Sequence, residues 1–203
     1  KGQNDGNDEP VPEQVDLKAG PLNLLYEAGD LRYIKFGEKE IIRRGYVEVR
    51  DHNWDTVTPV LSKVQMDIAD DSFRITYNVN NIQSNIDFFW QGMIVGKANG
   101  AITFSMDGEA RSTFRRNRIG FCILYPMECA GVECQIEHVN GTVEQNTFPQ
   151  YIAPQLIIDG KPTPVEPFSN MRALVHQVTP DLWAEVRFEG DSFEMEDQRN
   201  WTD

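Results

Sequence analysis

The sequence predicts an all-β fold: a large antiparallel two-sheet sandwich with little helix. Three observations predict it. Apolar residues recur with period two in many short segments, turn-forming pairs separate those segments, and no long segment carries capped helical periodicity. The 203 residues suffice for one large β domain or two small ones. An apolar fraction of 40%, with 10% aromatic, is enough for a packed core.

The strands follow in chain order. Val47 and Val49 alternate with Glu48 and Arg50, and Val64, Met66 and Ile68 alternate with Gln65 and Asp67. Phe73, Ile75, Tyr77 and Val79 form the longest alternating run, and Ile102, Phe104 and Met106 form the next. Val132, Cys134 and Ile136 follow, then Val186 and Phe188. Side chains alternate across a strand, so each run puts one face on a core and the other in solvent. Turn signals stand at Asp70-Asp71, Asn80-Asn81, Asn99-Gly100, Asp107-Gly108, Asn140-Gly141, Asp159-Gly160 and Glu189-Gly190-Asp191. Asn99-Gly100 and Asp107-Gly108 read as tight hairpins, whose turns need positive φ. Leu22 to Glu27 is read as a helical turn, and Phe148 to Pro167 as a proline-rich crossing loop around a short strand, Leu156 to Ile158. About fifteen strands are expected, in one large sandwich, with two smaller sandwiches as the alternative.

The net charge of −13 opposes binding to nucleic-acid phosphates and to anionic membrane surfaces. No run of about 18 apolar residues is present, so no direct membrane insertion is expected. Residues 1–20 read as a flexible acidic leader, polar and glycine-bearing over Lys1 to Pro10. It is similar to the tethers that follow the lipidated cysteine of exported bacterial lipoproteins, so export is favoured over a cytoplasmic location. Cys122, Cys129 and Cys134 are odd in number and lack paired zinc-ligand spacing; they read as buried thiols.

Three constellations are candidates for chemistry. Arg111, Arg115, Arg116 and Arg118 crowd one stretch of an acidic protein. On a strand Arg116 and Arg118 share a face, where guanidinium groups match carboxylates and polyhydroxyl ligands; an ion-pair row against the chain's own acids is the alternative. At the end of the chain, Glu194, Glu196, Asp197, Arg199 and Trp201 stand together. Adjacent carboxylates can divide acid and base roles, and Trp201 offers an apolar face to a sugar ring; a solvated edge strand is the alternative. No cofactor is expected, although a divalent cation at Glu194 and Glu196 fits the same acids. Third, His138 is a candidate proton carrier, and Trp54 lies beside His52 in a polar, aromatic loop.

At these motifs a family resemblance emerges. Phe114-Arg-Arg-Asn-Arg-Ile-Gly-Phe-Cys-Ile-Leu-Tyr-Pro126, Cys129-Ala-Gly131 and Phe193-Glu-Met-Glu-Asp-Gln-Arg-Asn-Trp-Thr-Asp203 resemble the N-terminal region of the D-apionate lactonase family. Leu31-Arg-Tyr-Ile-Lys-Phe-Gly37, Arg43-Arg-Gly-Tyr46 and Val49-Arg-Asp-His-Asn-Trp54 resemble the same region. The resemblance implies a galactose mutarotase-like β-supersandwich over residues 21–203, as the N-terminal part of a longer multidomain protein. It implies bacterial sugar catabolism, with a sugar-acid lactone as substrate and downstream domains of the same chain as partners. Lactone hydrolysis needs a base, for which Glu196, Asp197 and His138 are the candidates. Substrate contacts are expected from Arg116, Arg118, Arg199, Trp201 and Trp54. A non-catalytic carbohydrate-binding or interaction module of an exported protein is the alternative.

Overall fold

The computed structural model describes residues 13–150, 156–163 and 168–195. The described chain is all-β: sixteen strands and one short 3-10 turn, Met127–Cys129. Its contacts divide into two compact units, residues 1–124 and 125–203.

The first unit is a sandwich of two antiparallel sheets. One sheet holds β1 (Gln14–Ala19), β2 (Leu22–Glu27), β3 (Asp30–Phe36), β4 (Lys39–Asp51) and β9 (Arg116–Leu124), side by side in that order. The other holds β5 (Pro59–Ile68), β6 (Phe73–Gln83), β7 (Ile86–Gly96) and β8 (Ile102–Ala110). Leu17, Leu24, Leu31 and Val49 from the first sheet meet Phe73, Ile75, Tyr77, Val79, Trp90 and Ile94 from the second in one core. Each fully buried aliphatic or aromatic side chain contributes about 1.5–3 kcal/mol. β6 shows the cause most clearly: Phe73, Ile75, Tyr77 and Val79 face inward in strict alternation.

Several expectations are corrected here. Gln14–Ala19, read as part of the leader, is a strand paired to β2, with Leu17 and Ala19 buried. Leu22–Glu27 is a strand and not a helical turn, because Leu24 and Tyr26 alternate into the core between two paired neighbours. Asn99-Gly100 does form the β7–β8 connection, with Gly100 at φ 86. Asp107-Gly108 is not a hairpin: Gly108 lies within β8, where an added Cβ would sit 2.5 Å from Cζ of Phe88. The glycine makes room for a neighbouring ring. Asn80-Asn81 also lies inside a strand, and Asn81 is buried at the inner face.

The second unit is built on β10 (Glu133–His138), β11 (Val143–Thr147), β14 (Phe168–Thr179), β15 (Leu182–Arg187) and β16 (Phe193–Met195), with a separate hairpin of β12 (Leu156–Ile158) and β13 (Lys161–Thr163). Its own core contains Cys129, Cys134, Ile136, Phe148, Met171 and Leu174, with Phe193 and Met195 packed against it. No disulfide joins the three cysteines. No helix among the described residues is long and apolar enough to cross a membrane.

Candidate functional site

The first unit brings Trp54 and Arg118 together. β9 pairs antiparallel with β4, placing Arg118 opposite Arg50, Gly120 opposite Glu48 and Cys122 opposite Tyr46. Directly opposed residues share a face. Val47, Val49 and Ile119 take the core face, so Glu48, Arg50, Arg118 and Cys122 occupy the outer one. Arg116 opens the strand two residues before Arg118, beside Asp51, after a bulge at Arg50 and Asp51.

The loop from β4 to β5 carries Trp54 onto this face. Asp51 is nearly buried, and its Oδ1 accepts the backbone N–H groups of Asn53 at 2.8 Å and Asp55 at 3.0 Å, an Asx turn. Arg50 donates to the Trp54 carbonyl at 2.9 Å, and Asn117 donates to the His52 carbonyl at 2.9 Å. These bonds hold Trp54 at φ 70, in the left-handed region that a bulky residue adopts only under constraint. Trp54 is nevertheless 44% exposed, and the Arg118 guanidinium lies over its ring, 5.7 Å from the centroid. The geometry therefore pairs an exposed aromatic ring with a cation above it.

Polar groups lie on the same face. Glu48 Oε1 accepts from Arg50 at 2.9 Å and from the Thr56 hydroxyl at 3.2 Å. A side chain at Gly120 would meet nothing within 4 Å, so the face is open beside Glu48. Burial, and then the Glu48 charge, push the Cys122 thiol up to about 11, which leaves it protonated and not nucleophilic at neutral pH.

His138 belongs to the second unit. Its Nδ1 is 3.0 Å from the Ser169 carbonyl oxygen and its Nε2 is 2.9 Å from Glu144 Oε2. Both ring nitrogens face acceptors, so both bonds form only when the imidazole is protonated. The Glu144 bond accordingly raises the His138 pKa and lowers that of Glu144. His176 has the opposite surroundings. It is buried edge-on to Tyr125 and Phe148, its Nδ1 has no partner, and burial lowers its pKa to about 4.

Of the expected site residues, the structure joins Trp54 and Arg118, with Arg116 on the same strand, and puts His138 in the other unit. Glu196, Asp197, Arg199 and Trp201 lie outside the described residues, and so does half of the Glu194 and Glu196 pair. Among the described residues, no group of three or more His, Cys, Asp or Glu is placed to hold a metal ion. Glu48, Thr56 and Asp51 were not singled out from sequence. The signal for Glu48 was present: it shares a period-two face with Arg50 in the alternating run around Val47 and Val49.

Comparison with known proteins adds the family. The model of the D-apionate lactonase N-terminal domain matches residues 3–203. A D-apionate lactonase of Brucella anthropi is 36% identical over 204 aligned positions, covering 98% of this chain. The chain spans 31% of that relative's length. No solved structure matches.

Proposed function

The chain belongs to the D-apionate lactonase family, and from that premise we propose that it is the N-terminal β domain of an enzyme that hydrolyses a sugar-derived lactone to the open acid. The observation that carries the reading beyond family is Trp54: exposed, held in a strained backbone conformation, and faced by Arg118. An indole face suits the C–H surface of a sugar ring, and guanidinium donors suit its hydroxyl and carbonyl oxygens. Lactone opening requires an activated water and positive charge where the oxyanion develops. In this reading Trp54, Arg116 and Arg118 of the first unit bind the sugar ring by stacking and guanidinium donors. For the base, Glu196 and Asp197 are the proposed residues, because the two acceptors around His138 favour its protonated form. The test is Glu196→Gln with Asp197→Asn in the full-length protein, expected to lower lactone hydrolysis by roughly 10²-fold or more. Unchanged hydrolysis removes both residues from the mechanism.

A second reading is a recognition module without chemistry. It is favoured by Glu48, whose carboxylate is committed to Arg50 and Thr56 and not presented as a base. This reading expects saturable lactone binding that is lost in Trp54→Ala, with no turnover assigned to this part of the protein.

A further inference from the structure

The core of the first unit contains one residue that its apolar packing does not explain. Asn81 is 2% exposed at the inner face of β6, where the pattern of the strand calls for an apolar side chain. Burying an amide without partners costs several kcal/mol, roughly 2–7 by transfer measures. Asn81 has both ends of its carboxamide engaged. Its Oδ1 accepts the Trp90 indole N–H at 3.0 Å, and its Nδ2 donates to the Val57 carbonyl at 2.9 Å.

Val57 is the point at which the Trp54 loop rejoins the sandwich. It is fully buried, and its N–H donates to the Val49 carbonyl at 2.9 Å. The loop is therefore anchored at both ends by side chains that the core or its edge fixes in place. Asp51 holds the start through the N–H groups of Asn53 and Asp55, and Asn81 holds the finish through the Val57 carbonyl. Trp54 stands between these anchors at φ 70. Strained residues persist only where the surroundings over-determine them. Asn81 itself is held by Trp90, which packs edge-on to Tyr77 at 5.6 Å in the same core. The path thus runs from the packed aromatics, through one buried amide, to the exposed indole.

We propose that Asn81 is a positioning residue for ligand recognition: through Val57 it fixes the loop that presents Trp54 beside Arg118. This rests on the reading of Trp54 as the sugar-facing platform, but its test separates the two. Asn81→Leu is similar in volume and removes the donor to Val57 together with the acceptor for Trp90. Asn81→Ser is the smaller companion, read instead if the leucine variant loses its cooperative melt. Trp90→Phe removes the Trp90 bond alone and serves as the structural control.

Two readouts are taken on the intact protein carrying fluorotryptophan, with the Trp54 signal assigned by Trp54→Phe. The first is the position and width of the Trp54 fluorine resonance without ligand. The second is the affinity for the lactone of D-apionate. The proposal expects the Asn81 variant to shift or broaden the Trp54 resonance and to weaken lactone binding roughly tenfold. It expects Trp90→Phe to leave the Trp54 resonance in place. An unmoved Trp54 resonance in a folded Asn81 variant overturns the proposal. So does an equal disturbance from Trp90→Phe, which would make the effect one of general core damage. A displaced Trp54 with unchanged lactone affinity supports the positioning role and instead overturns the platform reading.

Discussion

The Arg118 guanidinium lies over the Trp54 ring, 5.7 Å from its centroid, although one residue belongs to a strand and the other to a loop on the neighbouring strand's far end. Strand pairing makes the contact: Arg50, opposite Arg118, also binds the Trp54 carbonyl. A double-mutant cycle with Arg118→Ala and Trp54→Ala, read by denaturant unfolding, is expected to give a coupling of about 0.5–1 kcal/mol. Additive single effects would show that the two groups are only neighbours.

The φ of 70 at Trp54 makes a separate prediction. Trp54→Ala and Trp54→Gly both remove the indole, but only glycine relieves the left-handed strain. Trp54→Gly should therefore be the more stable of the two by about 1 kcal/mol. Thermal melting of both variants measures the difference, and equal midpoints would mean that the loop carries no strain there.

Gly92 in β7 lies opposite Tyr77, and an added Cβ would come within 2.5 Å of Tyr77 Cζ. Tyr77 cannot retreat easily, because its hydroxyl donates to the Gly29 carbonyl at 2.9 Å within the core. Gly92→Ala is expected to cost about 2–3 kcal/mol by overpacking. A shift in denaturation midpoint reads this directly; a change below 0.5 kcal/mol, roughly the scatter of surface substitutions, would refute it.

The two histidines of the second unit give pH effects of opposite sign. Burial depresses His176 from 6.5 to about 4, so below pH 6.5 the unfolded chain takes up a proton that the folded chain refuses. Stability is lost as pH falls from about 6.5 towards 4, by up to about 3 kcal/mol. His176→Phe should flatten that part of the acid limb in urea titrations across this range. His138 is raised by Glu144, so its stabilising contribution is complete below 6.5 and disappears as pH rises through its folded pKa. His138→Gln should therefore cost more stability at pH 6 than at pH 9; a penalty independent of pH would exclude the imidazolium.

Much of the fold was legible because strand alternation is a local property of the chain. The run from Phe73 to Val79 names its own inward residues, and all four prove buried. Arg116 and Arg118 do lie on one strand, but the bulge at Arg50 and Asp51 sets Arg118 opposite Arg50 and Arg116 opposite Asp51, so period two does not carry across it. By itself the sequence determined that the protein is all-β, which face of β6 is apolar, and which family its motifs resemble; Val64, Met66 and Ile68, read as core-facing, are exposed on β5. Only the tertiary structure decided what Asn81 and Gly108 are for. Asn-Asn and Asp-Gly read the same in a turn and in a strand; the difference lies in the indole of Trp90 and the ring of Phe88, each brought alongside by another strand. The joining of Trp54 to Arg118 was decided the same way, by the register between β4 and β9. Register is a choice among long-range pairings, settled by packing over the whole core, and no short stretch of residues contains it.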